Sequence, residues 1–114
     1  MPHFVMDCSE NVLKSHDEEF IIEQVHLVAN ETGLFDESDI KVRLNPFQKF
    51  SVGNKQEDFI HVFAHIMQGR TTEQKANLSQ KIVSKLATLF PDIPNIAMNI
   101  CDFEKATYCN RSML

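Results

Sequence analysis

The chain has 114 residues, 43% hydrophobic and 24% charged, with only three Gly and four Pro, which excludes a disordered or low-complexity protein and predicts a single domain over 1–114 with a real core. The net charge of −5, with Lys and Arg dispersed, argues against nucleic acid or an anionic membrane as partner, and no run of 18 or more apolar residues is present. No basic region followed by an apolar run opens the chain, so a soluble, cytoplasmic protein is expected.

Cys8, Cys101 and Cys109 are odd in number and lack C-x-x-C spacing, so neither a disulfide framework nor a zinc knuckle is predicted, and the thiols read as reduced and mostly structural. No metal ligand set emerges.

His3 to Cys8 alternates Phe4, Met6 and Cys8 with Val5 and Asp7, the period of a strand, and Ser9-Glu10-Asn11 ends it. Pro2 stands just ahead of this strand. If Met1 is removed, Pro2 becomes a free secondary amine, a potential base at a defined place; with Met1 attached its nitrogen is an amide and has no basicity. Ser15-x-x-Glu18 matches a capping box, Phe20, Ile21, Val25 and Val28 follow at helical spacing, and Gly33 supplies a left-handed stop, predicting a first helix over about 16–31.

The next extended run is Ile40 to Leu44, with Ile40, Val42 and Leu44 on one face and Lys41 and Arg43 on the other. Those two cations lie about 7 Å apart on a strand and could line one side of an anion pocket, though such a pair also suits a solvated strand face. Pro46 to Gln56 reads as irregular or a hairpin turning at Gly53-Asn54.

Phe59 to Met67 carries the clearest strand pattern, with Ile60, Val62, Ala64 and Ile66 opposite His61, Phe63 and His65. On a strand His61 and His65 stand about 13 Å apart, too far to share a metal. Thr71-x-x-Gln74 caps a second helix whose apolar stripe is Leu78, Ile82, Leu86 and Leu89, ended by Pro91 and Pro94. Arg70, just before that helix, together with the positive end of the helix dipole, makes a candidate carboxylate cradle. Ile96 to Phe103 is the last strand.

The order is thus β-α-β twice over, predicting an α/β (α+β) fold with parallel pairing inside each half and both helices on one sheet face. The other face needs a cover, which an oligomer would provide.

Three segments, P-H-F-V-M-D-C-S-E-N at residues 2–11, K-V-R at 41–43 and Q-G-R-T at 68–71, together resemble the 5-carboxymethyl-2-hydroxymuconate Δ-isomerase family of the tautomerase superfamily. The resemblance covers almost the whole chain and is most specific in the first segment. It implies two β-α-β units forming a four-stranded mixed sheet, a homotrimer, a small polycarboxylate substrate and no metal or organic cofactor. It further implies Pro2 as catalytic base, Arg70 as a ligand of a substrate carboxylate and Arg43 as the second cationic contact. The family often has Arg-x-Arg where this chain has Lys41-Val42-Arg43, so the planar fork of the first arginine is replaced by a point charge. Phe4 and Phe50 are candidates for an apolar wall.

The implied activity is a cofactor-independent shift of a double bond in an unsaturated 2-hydroxy or 2-oxo polycarboxylate, within aromatic catabolism such as that of homoprotocatechuate. An α-amino group titrates near 7.7–8.0, and burial beside Lys41, Arg43 and Arg70 would lower a proline amine toward working pH. The same cations would stabilise the dienolate formed after proton abstraction. The alternatives are a tautomerase-fold binding or interaction protein with weak or vestigial activity, or a tautomerase acting on a phenylpyruvate-type 2-oxo acid.

Overall fold

A computed structural model describes all 114 residues. Strand β1 spans His3–Ser9 and runs into a 3₁₀ helix at Glu10–Lys14; helix α1 spans Glu18–Glu31. Strands β2 (Lys41–Phe47) and β3 (Phe59–Met67), helix α2 (Thr72–Leu89) and strand β4 (Asn95–Phe103) follow. They make one four-stranded sheet ordered β2-β1-β3-β4, in which β1 pairs parallel to β2 and antiparallel to β3, and β3 pairs parallel to β4. This is the mixed sheet of two β-α-β units expected from the sequence.

Alternation sorts the strands into two faces. Phe4, Met6 and Cys8 of β1 and Ile60, Val62, Ala64 and Ile66 of β3 are buried. All but Ile66 join Ile21, Val25 and Ala29 of α1 and Leu78, Ile82 and Leu86 of α2 in one core between sheet and helices. The opposite face, carrying His3, Val5, Asp7, His61, Phe63 and His65, has no protein layer over it and is partly exposed.

Two local expectations are revised. Helix α1 is capped by Asp17, whose side chain accepts from Phe20 N at 2.8 Å, not by Ser15. Ser15 has helical backbone angles and donates to Val12 O, closing the 3₁₀ helix, so it lacks the extended geometry an N-cap requires. Strand β2 continues through Pro46 to Phe47, beyond the predicted Leu44. Pro46 is tolerated because β2 lies at the sheet edge, where only one side of the strand carries a ladder. The segment beyond it does turn at Gly53-Asn54, across a bridge between Val52 and Lys55.

The second helix follows expectation. Thr71 and Gln74 form the full reciprocal box, with Thr71 Oγ1 accepting from Gln74 N at 3.1 Å and Gln74 Oε1 accepting from Thr71 N at 2.9 Å. Gly33 has φ +71°, in the left-handed region that ends a helix. No helix is long and apolar enough to cross a membrane.

Candidate active site

The amino end of β1 meets the ends of two other elements. Lys41 N, at the start of β2, donates to Pro2 O at 3.1 Å, which anchors the proline beside the first cation of that strand. The Pro2 ring is fully buried. Past the end of β3, Gly69 adopts φ +124°, a region that side chains disfavour, and this turn directs Arg70 back toward the same end. Met1, Gly33, Leu34, Phe35, Asp36, Asp39 and Arg70 line one cavity of about 290 Å³ there.

Arg70 is held firmly. Its guanidinium donates to Leu34 O at 2.8 Å and Met67 O at 3.2 Å, and its carbon lies 5.0 Å from the centre of the Phe35 ring. Of the five N–H groups on a guanidinium, two are thus committed and three remain for a ligand. The capping box also occupies the N–H groups of Thr71 and Gln74, which narrows the expected helix contribution to the cradle. Lys41 Nζ folds back to Asp39 O at 3.0 Å, toward the cavity.

This setting disfavours charge on the chain's amino group. Its pKa is lowered from the ordinary 8.0, first by burial; Asp39 works against this, and the positive charges of Arg70 and Lys41 add to it. Met1 carries that amine here and lines the cavity with Arg70 and Asp39, while the Pro2 nitrogen is an amide.

The other predicted residues lie elsewhere. Phe4 is fully buried in the core, its ring edge-on to Phe35 at 6.0 Å, so it backs the cavity wall from behind and offers no surface to a ligand. Phe50 packs on Phe59 at 5.3 Å, at the far end of the sheet. With Glu10, Lys14 and Phe47 it lines a cleft of about 810 Å³ that does not touch Pro2. The length of β1 separates it from the proline by on the order of 20 Å. Arg43 lies on the open sheet face, where its Nη1 bonds His3 Nδ1 at 3.1 Å. His61 bonds Asn99 Oδ1, and no group of three or more His, Cys, Asp or Glu is placed to hold a metal.

Sequence reasoning missed Asp36, Asp39 and His3. The two acids lie in the connection between α1 and β2, and nothing in the spacing signals that it folds over the amino end. His3 was visible as a strand residue, but its bond to Arg43 depends on which strand neighbours β1 and in what register. All three cysteines are free; burial, with Asp7 and Glu18 nearby, pushes the Cys8 thiol up to about 12, so it is an inert core group.

A four-stranded mixed sheet of two β-α-β units, with the amino end and Arg70 lining one cavity, is a tautomerase-like fold. More narrowly, the family profile of 5-carboxymethyl-2-hydroxymuconate isomerase matches residues 2–106, and the chain belongs to that family, one of isomerases. It is 24% identical over 106 residues to the 5-carboxymethyl-2-hydroxymuconate Delta-isomerase of Escherichia coli, covering 91% of this chain and 84% of that protein. Among solved structures it is similar to a 5-carboxymethyl-2-hydroxymuconate isomerase from Deinococcus radiodurans R1, with TM-score 0.84 and 17% identity over 96% of this chain and 88% of the other. It is also similar to N1, a member of the cis-3-chloroacrylic acid dehalogenase family, with TM-score 0.81 and 15% identity over 96% and 80%. A fused 4-OT asymmetric trimer matches with TM-score 0.78 and 13% identity over 96% and 92%.

Proposed function

We propose that the chain, once Met1 is removed, is a cofactor-independent cytoplasmic isomerase that shifts a double bond in an unsaturated 2-hydroxy or 2-oxo polycarboxylate of the 5-carboxymethyl-2-hydroxymuconate type, in aromatic catabolism such as that of homoprotocatechuate. Pro2 is the base. It takes a proton from one carbon, the electrons move through the conjugated system to the carbonyl oxygen as a dienolate, and the prolinium returns the proton to another carbon. Arg70, with three uncommitted N–H groups, binds a substrate carboxylate, and Lys41 and Arg43 supply further positive charge.

The observation that carries this reading is the geometry of the amino end: Pro2 is buried at the head of β1 and anchored by Lys41 N, beside a cavity that Met1 and Arg70 line. Neither Arg43 nor Phe50 reaches that cavity within one chain, so their part in binding depends on assembly with further copies, as in a homotrimer.

The test is turnover of 5-carboxymethyl-2-hydroxymuconate by ultraviolet absorbance, with mass spectrometry of the amino terminus. Chain that begins at Pro2 should be active, and Pro2→Ala should lose at least about a hundredfold in kcat, the scale of general-base catalysis. Full activity with Met1 retained would overturn the mechanism.

A phenylpyruvate-type substrate is the second reading. Within one chain Asp36 and Asp39 line the cavity with Arg70 while Arg43 is turned to His3, a balance that suits one carboxylate better than several. If instead a dicarboxylate binds saturably and no substrate carbon exchanges its proton in deuterated water, the chain is a binding protein of the same fold.

A further inference from the structure

Arg43 and His3 meet on the open face of the sheet, where the register sets His3 beside Lys41 and Val5 beside Arg43. The bond from Arg43 Nη1 to His3 Nδ1 is 3.1 Å long. A guanidinium is always charged and has no acceptor, so in this pair it must donate and Nδ1 must offer its lone pair. The neutral ring therefore carries its proton on Nε2. A second proton on Nδ1 would set donor against donor and break the bond.

The groups around His3 all oppose that second proton. Burial, then Arg43 and Lys41 on β2, His65 on β3 and the chain's amino group, hold its pKa below the ordinary 6.5. From β4 the same row presents Cys101, paired in register with His65. The acid on this face of β1 is Asp7, further along the strand, where its carboxylate accepts from Asn45. Neither the His26–Glu37 hydrogen bond nor the Lys75–Asp102 ion pair involves His3.

We propose that His3 is a positioning residue for Arg43: its neutral ring accepts one guanidinium N–H and so fixes the direction in which the remaining N–H groups meet a bound carboxylate. This rests on the assignment of Arg43 to substrate binding made above. An unrestrained arginine loses side-chain entropy when a ligand fixes it, and a partner already holding it removes part of that loss. Acid that protonates His3 frees Arg43, so carboxylate binding weakens as pH falls through the His3 pKa, although the imidazolium adds a positive charge.

Two measurements on the full chain test this, neither requiring turnover. Imidazole ¹⁵N spectra should show His3 protonated on Nε2 and unprotonated on Nδ1, and Arg43→Ala should mix the tautomers and raise the His3 pKa. An unchanged spectrum in Arg43→Ala would refute the pairing. Calorimetric binding of the dicarboxylate maleate across pH should then be about tenfold weaker in His3→Phe, the equivalent of 1.4 kcal/mol. His3→Gln, whose Oε1 accepts from Arg43 and does not titrate, should restore the affinity and flatten its acid limb. Equal weakening by both substitutions, no weakening by either, or tighter maleate binding at acid pH in the wild type would overturn the proposal. Failure of the isomerase reading would show separately, as absent turnover with maleate binding and the His3 spectrum intact.

Discussion

Asp39 is the residue at which the chemistry of the amino end is most finely balanced. It alone raises the pKa of the terminal amine, against burial, Arg70 and Lys41, which lower it. A basic proline acts only when neutral, so kcat/KM should rise as pH climbs through the amine pKa and level off above it. Asp39→Asn removes the opposing negative charge and should move that rising limb to lower pH, a shift read from the pH profile of the processed chain. Arg70→Ala should do the reverse while also weakening substrate binding. It leaves the carbonyls of Leu34 and Met67 without their donor, so urea unfolding should show a stability loss of about 1–3 kcal/mol as well. Lys41→Arg restores a planar fork, and a several-fold lower KM for a polycarboxylate is the expected result, checked by steady-state kinetics.

At the scale of elements, two helix starts that look alike in sequence differ in space. Thr71-x-x-Gln74 forms its box, while Ser15-x-x-Glu18 yields its place to Asp17. Thr71→Ala and Asp17→Ala should each cost about 1 kcal/mol in urea unfolding, and Ser15→Ala only a few tenths. A loss at Ser15 equal to that at Asp17 would contradict the capping described here. The difference was not legible because a 3₁₀ helix at Glu10–Lys14 intervenes, and its last residues consume the serine. Where no such competitor precedes the helix, as at Thr71, local spacing was enough. Strand β2 gives the complementary lesson: Pro46 reads as a terminator until the strand is known to lie at an edge.

For the molecule as a whole, the sheet face opposite the helices is the largest surface left without a layer over it. Val5, Phe59, Phe63, Met67 and Phe103 are only half-buried on it, amid His3, Asp7 and His61. Both edge strands, β2 and β4, also keep one side unpaired. Closed association of copies would cover both features, and light scattering should give about three times the 13.1 kDa of one chain. Phe63→Lys, which sets a charge in the middle of that face, should shift the mass toward one chain without unfolding it. A wild-type monomer that is fully active would remove the trimer from the account.

The sequence by itself determined the elements and their faces, because alternation of period two and a helical stripe are properties of a few neighbouring residues. It placed Phe59–Met67 and Thr72–Leu89 with little error, and through short motifs it pointed to Pro2, Arg70 and the family. Tertiary structure alone decided who meets whom. It buried Phe4 against Phe35, sent Phe50 to the far end, folded Asp36 and Asp39 over the amino terminus and joined Arg43 to His3. Each of these follows from strand order, register or the path of a loop, which are fixed by contacts between residues far apart in the chain and so leave no local signature.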